Sequence, residues 1–422
     1  MARYRPRSIW WCALCVVLLA AGCGSPAGRP QQPARAQRSA ADAPPRASRA
    51  GSGIWLYRLQ MTSARTGWAL RWTVSPWGTQ AGYLVPARTA DGARTWADVT
   101  PPAAAALLAT PGATPVLDAL DGSRAWLAVT AAPGETSSPH LTVVFGTSDG
   151  GRTWTESAPF NVPAPARLLS FAGPGDGWLL ASYGGTMGQD PVWLYRTTDA
   201  GRRWSLIAAA PQSGTGRNGL PVQCDKAGLA FATAQAGWLS SYCTGESPDV
   251  LLVTRDGGAH WAPQALPAPA RASCASGCEV YNPPQFFGRA GFVVIGHGPA
   301  APYFLASRDL GQTWALEPLP LGAGLYPRVT FFSPRDGVLV PAGPNGAIGG
   351  IFDVTADGGM TWTAVPQGRA FTANGTEFDF VSPRIGFAWV PGADAPAGPP
   401  AMGQTTDSGR TWTAFTPVLA GG

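Results

Sequence analysis

The chain has 422 residues, 45% of them apolar and only 13% charged, with 54 Gly, 42 Pro and 18 Trp. This profile excludes helical bundles and coiled coils, which need charged helix formers, and favours short strands between many turns. The formal charge of +5 is carried by residues 1–52, because residues 53–422 hold 22 basic and 24 acidic side chains; a nucleic-acid binder keeps its positive charge on the folded domain, so no nucleic acid is expected as a partner.

In chain order, three Arg precede a 13-residue apolar run over 9–21. That is too short to span a bilayer as a helix and has the length of a signal-peptide core. The run ends in Leu19-Ala20-Ala21-Gly22-Cys23, which resembles the lipobox of bacterial lipoproteins. The resemblance implies that residues 1–22 are removed, that Cys23 carries the lipid, and that the protein sits on the extracytoplasmic face of the cell membrane. Residues 23–53 are rich in Pro, Ala and Arg and nearly free of large apolar groups. Such a segment cannot offset its ordering entropy by burial, so a disordered tether is expected. Its typical reach is about 30 Å.

Residues 54–422 repeat one pattern seven times. Thr/Ser-x-Asp-x-Gly-x-x-Trp places Asp at Asp91, Asp149, Asp199, Asp256, Asp309, Asp357 and Asp407, and Trp at Trp96, Trp154, Trp204, Trp261, Trp314, Trp362 and Trp412. A small residue followed by an aromatic or apolar one precedes each copy: Gly67-Trp68, Ala125-Trp126, Gly177-Trp178, Gly237-Trp238, Gly291-Phe292, Gly337-Val338 and Gly386-Phe387. Each unit reads as four strands; the third predicts strands over 167–171, 178–183, 192–197 and 203–208. Seven such units specify an all-β, seven-bladed β-propeller, because a lone blade cannot bury both faces and a closed ring protects the edges.

The Asp motif resembles the Asp box, also called the bacterial neuraminidase repeat. The resemblance implies a turn between the third and fourth strands of each blade. The Asp would accept N–H groups of its own loop. The Gly two places on would permit positive φ, and the Trp would pack between sheets. The order of the two motifs resembles the seven-bladed propellers related to photosystem II assembly and stability factors. That likeness implies a non-catalytic binding or assembly scaffold with no cofactor and no metal. The alternative is a carbohydrate-active enzyme of sialidase-like ancestry, using the channel mouth. Against it, the Arg-Ile-Pro motif is absent, Tyr57-Arg58-Leu59 being the nearest approach, and Glu279 near Tyr281 gives no recognisable pair. His140, assigned to a loop, His260 and His297 lack motif-like neighbourhoods.

Four Cys follow the leader and lipid site: Cys224, Cys243, Cys274 and Cys278. An even count in an exported protein predicts disulfides. Cys224 and Cys243 are expected opposite each other on paired strands, and Cys274 with Cys278 to close a loop between blades four and five. The rival reading is a four-Cys zinc site, disfavoured by the compartment and by the lack of Cys-x-x-Cys.

The long loops are expected on the face where inner strands begin. Arg58, Arg167 and Arg328 occupy equivalent positions there and form the expected electrostatic centre, with Lys226 and Glu377 close to that register. Trp77, Tyr281 and Tyr326 are expected to add exposed aromatic contact. Arg65, Arg289, Arg335 and Arg384 belong to the opposite face. The expected partner is a membrane or cell-envelope protein or a glycan, taken by a monomer.

Overall fold

The computed structural model describes residues 53–74, 82–131, 139–185, 188–212, 216, 218–243, 250–268, 270, 278–296, 301–322, 325–342, 351–366, 377–389 and 401–420. The expected leader, Cys23, the tether up to residue 52, Trp77, Cys274 and His297 lie outside these residues.

Seven four-stranded antiparallel units succeed one another along the chain, each pairing its strands in sequence order. The protein is an all-β, seven-bladed propeller. In blade 3 the strands are Ala166–Phe171, Gly177–Ser182, Val192–Thr197 and Ser205–Ala210. The fourth begins two residues later than the sequence predicts, because the Arg203 N–H still bonds Asp199 in the turn. Blades 4 and 5 share a continuous sheet, since Tyr242 and Cys243 pair with Glu279 and Cys278. In blade 2 the fourth strand is split into Thr155–Glu156 and Phe160–Val162, both on His140–Thr147. His140 therefore opens a strand rather than lying in a loop. No helix of the described residues is long and apolar enough to cross a membrane.

The small residue of the second motif has a steric cause. Gly177 pairs with Phe171 across the inner hairpin, and a Cβ there would lie 2.4 Å from the Phe171 ring. The same holds for Gly237 on Phe231 and Gly386 on Phe380. With no side chain beneath it, the ring lies over the Gly and meets the preceding blade. Trp126 of blade 2 stacks on Phe171 of blade 3 at 3.7 Å and 4°. Trp178 stacks on Phe231 at 3.5 Å, and Phe292 on Phe331 at 3.6 Å. The Trp of the Asp motif meets the same rings edge-on, as Trp204 does Phe171 at 89°. Each such aromatic pair contributes about 0.5–1.5 kcal/mol beyond its burial.

The residue just before that inner-strand position, which is Met61 in blade 1 and Ala119 in blade 2, makes a second link between blades. Gln60 exchanges two hydrogen bonds with the Ala119 backbone. Asp118 accepts the Phe171 N–H at 2.8 Å, and Gln285 accepts that of Phe331 at 2.9 Å. Asp379 of blade 7 accepts the Met61 N–H of blade 1 at 2.7 Å, so the same link closes the ring. The tail adds Val418–Leu419 in parallel to the outer strand of blade 1 at Thr95 and Trp96. Phe387, Trp389 and Met402 share a core with Ile54, Leu59, Met61 and Trp96 across this seam.

Candidate partner-binding face at the channel mouth

The Asp motifs account for one face of the ring. In blade 2, Thr147 Oγ1 donates to Asp149 and accepts the Gly151 N–H, while Asp149 accepts the Arg152 and Thr153 N–H groups and the Thr153 hydroxyl. The pattern recurs at Asp91, Asp199, Asp256, Asp309, Asp357 and Asp407. These bonds, led by the Thr hydroxyl, hold the carboxyls of Asp149, Asp309 and Asp357 down at about 2. The position two after each Asp has positive φ, as the sequence predicts, including Ala93 at 68°. The position one after it is also left-handed, even where it is Ala200, Leu310 or Ser408. Its N–H reaches the neighbouring inner hairpin turn in all seven blades, for example Gly92 to Arg65 O and Leu310 to Arg289 O. The seven carboxylates are thereby consumed by their own turns. Trp96, Trp261 and Trp314 are buried; Trp154, Trp204, Trp362 and Trp412 are half-buried.

Inner strands begin at the opposite face. Irregular pairing at Arg58 and Arg167 re-aims both side chains. Arg167 departs from the sequence expectation, because it is buried rather than presented to a partner. Its guanidinium grips Asp225 at 2.6 and 3.2 Å and reaches Asp190 at 3.4 Å. Asp190 also accepts the Ser182 hydroxyl and the Lys226 N–H. Lys226 is fully buried, with Nζ donating to Gln223 O and Cys224 O. Burial lowers the Lys226 ammonium to about 8, opposed by Asp190 and Asp225. Burial raises the Asp190 carboxyl; at Asp225 it is outweighed by Arg167, which leaves that carboxyl below its ordinary value. This cluster ties blade 3 to blade 4; Arg58 and Arg328, the other two arginines of the expected centre, are half-buried. Asp190 and Asp225 escaped the sequence reading. Their signal was charge adjacent to strands in a chain that has little of it.

The same face carries an arc of aromatic side chains at second-strand ends. Trp72 is 42% exposed, Tyr183 60% and Tyr242 44%. Their recurrence five or six residues after the small-aromatic motif was visible in the sequence. Trp72 stands against Tyr57, their ring centres 6.2 Å apart, and the Tyr183 hydroxyl bonds His140 Nε2 at 2.7 Å. Tyr281 was expected to be exposed and is not: its ring lies over Gly296, which has no side chain to hold it off, and only 8% of it reaches solvent. It meets the half-buried Tyr326 edge-on at 5.5 Å. Glu279 faces Tyr242 across paired strands. Burial pushes its carboxyl up to about 7.

Cys224 and Cys243 form the expected disulfide, with Cα atoms 4.5 Å apart. Cys278 pairs with Cys243 through the backbone, and its partnership with Cys274 falls outside the described residues. Among the described residues no three His, Cys, Asp or Glu side chains gather as a metal site.

No protein-family model and no curated protein matches the sequence. Among solved structures, YCF48 from Cyanidioschyzon merolae is 15% identical over 80% of this chain and 93% of its own, with a TM-score of 0.49. The GH74 xyloglucanase from Xanthomonas campestris is 16% identical over 89% of this chain and 55% of its own, also at 0.49. A prolyl endopeptidase is 9% identical over 86% of this chain and 50% of its own, at 0.51. At such identities the likeness concerns architecture alone.

Proposed function

We propose that this protein is an extracytoplasmic, lipid-anchored scaffold that binds a protein of the membrane or cell envelope on its mouth face. The observation that carries the reading is the exposure of Trp72, Tyr183 and Tyr242 at second-strand ends, on the face where the inner strands that carry Arg58 and Arg328 begin. Trp, Tyr and Arg are the usual anchors of protein interfaces. The opposite face spends its seven carboxylates on its own turns. A disulfide between Cys224 and Cys243 suits an exported chain. The lipid at Cys23 and the tether to residue 53 follow from the lipobox resemblance and would hold the ring near the membrane.

The test is crosslinked capture from membranes by the full chain. Trp72→Ala with Tyr183→Ala, and separately Arg58→Glu with Arg328→Glu, are expected to reduce capture at least tenfold. Arg65, Arg335 and Arg384 changed to Glu on the Asp-motif face are expected to leave it intact. Loss with the Arg65, Arg335 and Arg384 set and retention with both mouth-face sets would invert the orientation. Cys23→Ser is expected to abolish detergent-phase partitioning without touching capture by the soluble ring.

Glu279 favours one second reading, a carbohydrate-active enzyme. A carboxyl held near 7 among tyrosines is suited to general acid catalysis. Hydrolysis of a glycan that disappears with Glu279→Gln would replace the scaffold reading.

A further inference from the structure

We propose that Glu279, Tyr242, Tyr281 and Tyr326 form a receptor for a primary ammonium group, the lysine side chain of a protein partner. The proposal rests on the scaffold reading only for the protein that carries the lysine.

The four residues come from three consecutive blades. Tyr242 ends the second strand of blade 4, Glu279 and Tyr281 lie on the inner strand of blade 5, and Tyr326 precedes that of blade 6. Glu279 lies directly opposite Tyr242 in an antiparallel pair, which sets their Cβ atoms about 4.5–5.5 Å apart. Tyr281 follows Glu279 by two residues at an irregularity in the pairing with the next strand, and its ring contacts Tyr326. The negative charge of Glu279 is felt at both Tyr242 and Tyr281, where it adds to burial in raising the phenols.

Two polar groups here lack partners among the described residues. The Tyr281 hydroxyl is buried and makes no hydrogen bond to any of them. Glu279 has no ion pair among the described residues, and burial alone accounts for its raised carboxyl. Glu279 is half-buried; a partly desolvated carboxyl without a donor is costly, and so is a buried hydroxyl. An ammonium answers both at once. It restores the ionised carboxylate and donates one N–H to it and another to the Tyr281 oxygen. The electron-rich faces of the tyrosines attract the same cation. Tyr242, partly in solvent, gives the ammonium its way in. The compact, three-donor head of Lys suits one carboxylate and one hydroxyl better than the planar fork of Arg, which seeks bidentate partners.

The test uses the full chain with acetyl-Gly-Lys-Gly-amide as probe, followed by saturation-transfer NMR. The same peptide with norleucine replaces the ammonium by a methyl group, and phosphoethanolamine offers the amine of a lipid headgroup. The lysine peptide is expected to bind at least tenfold more tightly than the norleucine peptide. Glu279→Gln and Tyr281→Phe are each expected to weaken it about tenfold with melting unchanged or raised, since Gln replaces an ionisable carboxyl by a neutral amide of the same shape and Phe removes an unpaired buried hydroxyl. Equal binding of the two peptides, or full binding by Glu279→Gln, overturns the proposal. Tighter binding of phosphoethanolamine than of the lysine peptide overturns the peptide source. A failed probe with partner capture still sensitive to Trp72 and Tyr183 would sink this site and leave the scaffold reading standing.

Discussion

Asp118 and the Asp-motif carboxylates show how burial reverses the pH response of one residue type. Asp118 is buried and accepts the Phe171 N–H, its one donor among the described residues, and burial pushes its carboxyl up to about 7. A raised folded value means that the neutral form fits the fold. Its contribution is fully present below the ordinary value of 3.8 and is lost as pH rises through about 7. The Asp-motif carboxylates are depressed, so theirs is present above 3.8 and lost as pH falls through about 2. Maximum stability is expected between these windows, near about pH 4–5. The melting midpoint should fall from pH 5 to pH 8, by a loss on the order of a few kcal/mol from Asp118. Asp118→Asn keeps an acceptor for Phe171 and should flatten that fall. A pH profile identical to that of the parent would dismiss Asp118 as its cause.

Within a blade, the inner hairpin depends on a missing side chain. Gly177→Ala would set a methyl 2.4 Å from the Phe171 ring, displacing it from Trp126. We expect a cost of about 1–3 kcal/mol from overpacking, and near-ultraviolet circular dichroism should lose part of its Trp signal. The same change at Gly173, where a Cβ meets nothing within 4 Å, is the matched control; equal destabilisation at both sites would refute the steric account. The repeat, the two motifs and the Cys224–Cys243 pairing were legible because each is local or periodic. Ring stacking between blades followed from neither motif alone: Phe171, Phe231 and Phe331 stand six residues before the small-aromatic motif and belong to no pattern that the sequence reading used. The burial of Arg167 was hidden for another reason. It depends on Asp225, 58 residues away, and equivalence of position cannot reveal which blade supplies a counter-charge.

For the ring as a whole, seven similar interfaces leave one joined by no continuous chain. Blades 7 and 1 meet through Asp379 on Met61 and through the Val418–Leu419 strand. Truncation after Phe415 removes that strand and the Ile54 bond to Pro417. Hydrogen exchange should then accelerate at the Met61, Trp96 and Phe387 amides, with blades 3 and 4 unchanged. Uniform acceleration would mean that the ring opens as one unit rather than at this seam.

Gly53 bridges Val418, and Ile54 bonds the carbonyl of Pro417, so the chain enters the ring against its own tail. A pull applied through residue 53 therefore meets the closing seam before any other part of the molecule. The load passes into Val418, which hydrogen-bonds Arg94, and into the outer strand of blade 1 at Thr95 and Trp96. In the lipid-anchored form proposed above, tension on the tether would load the one join in the circle that no continuous chain spans, which would make this seam a mechanical fuse.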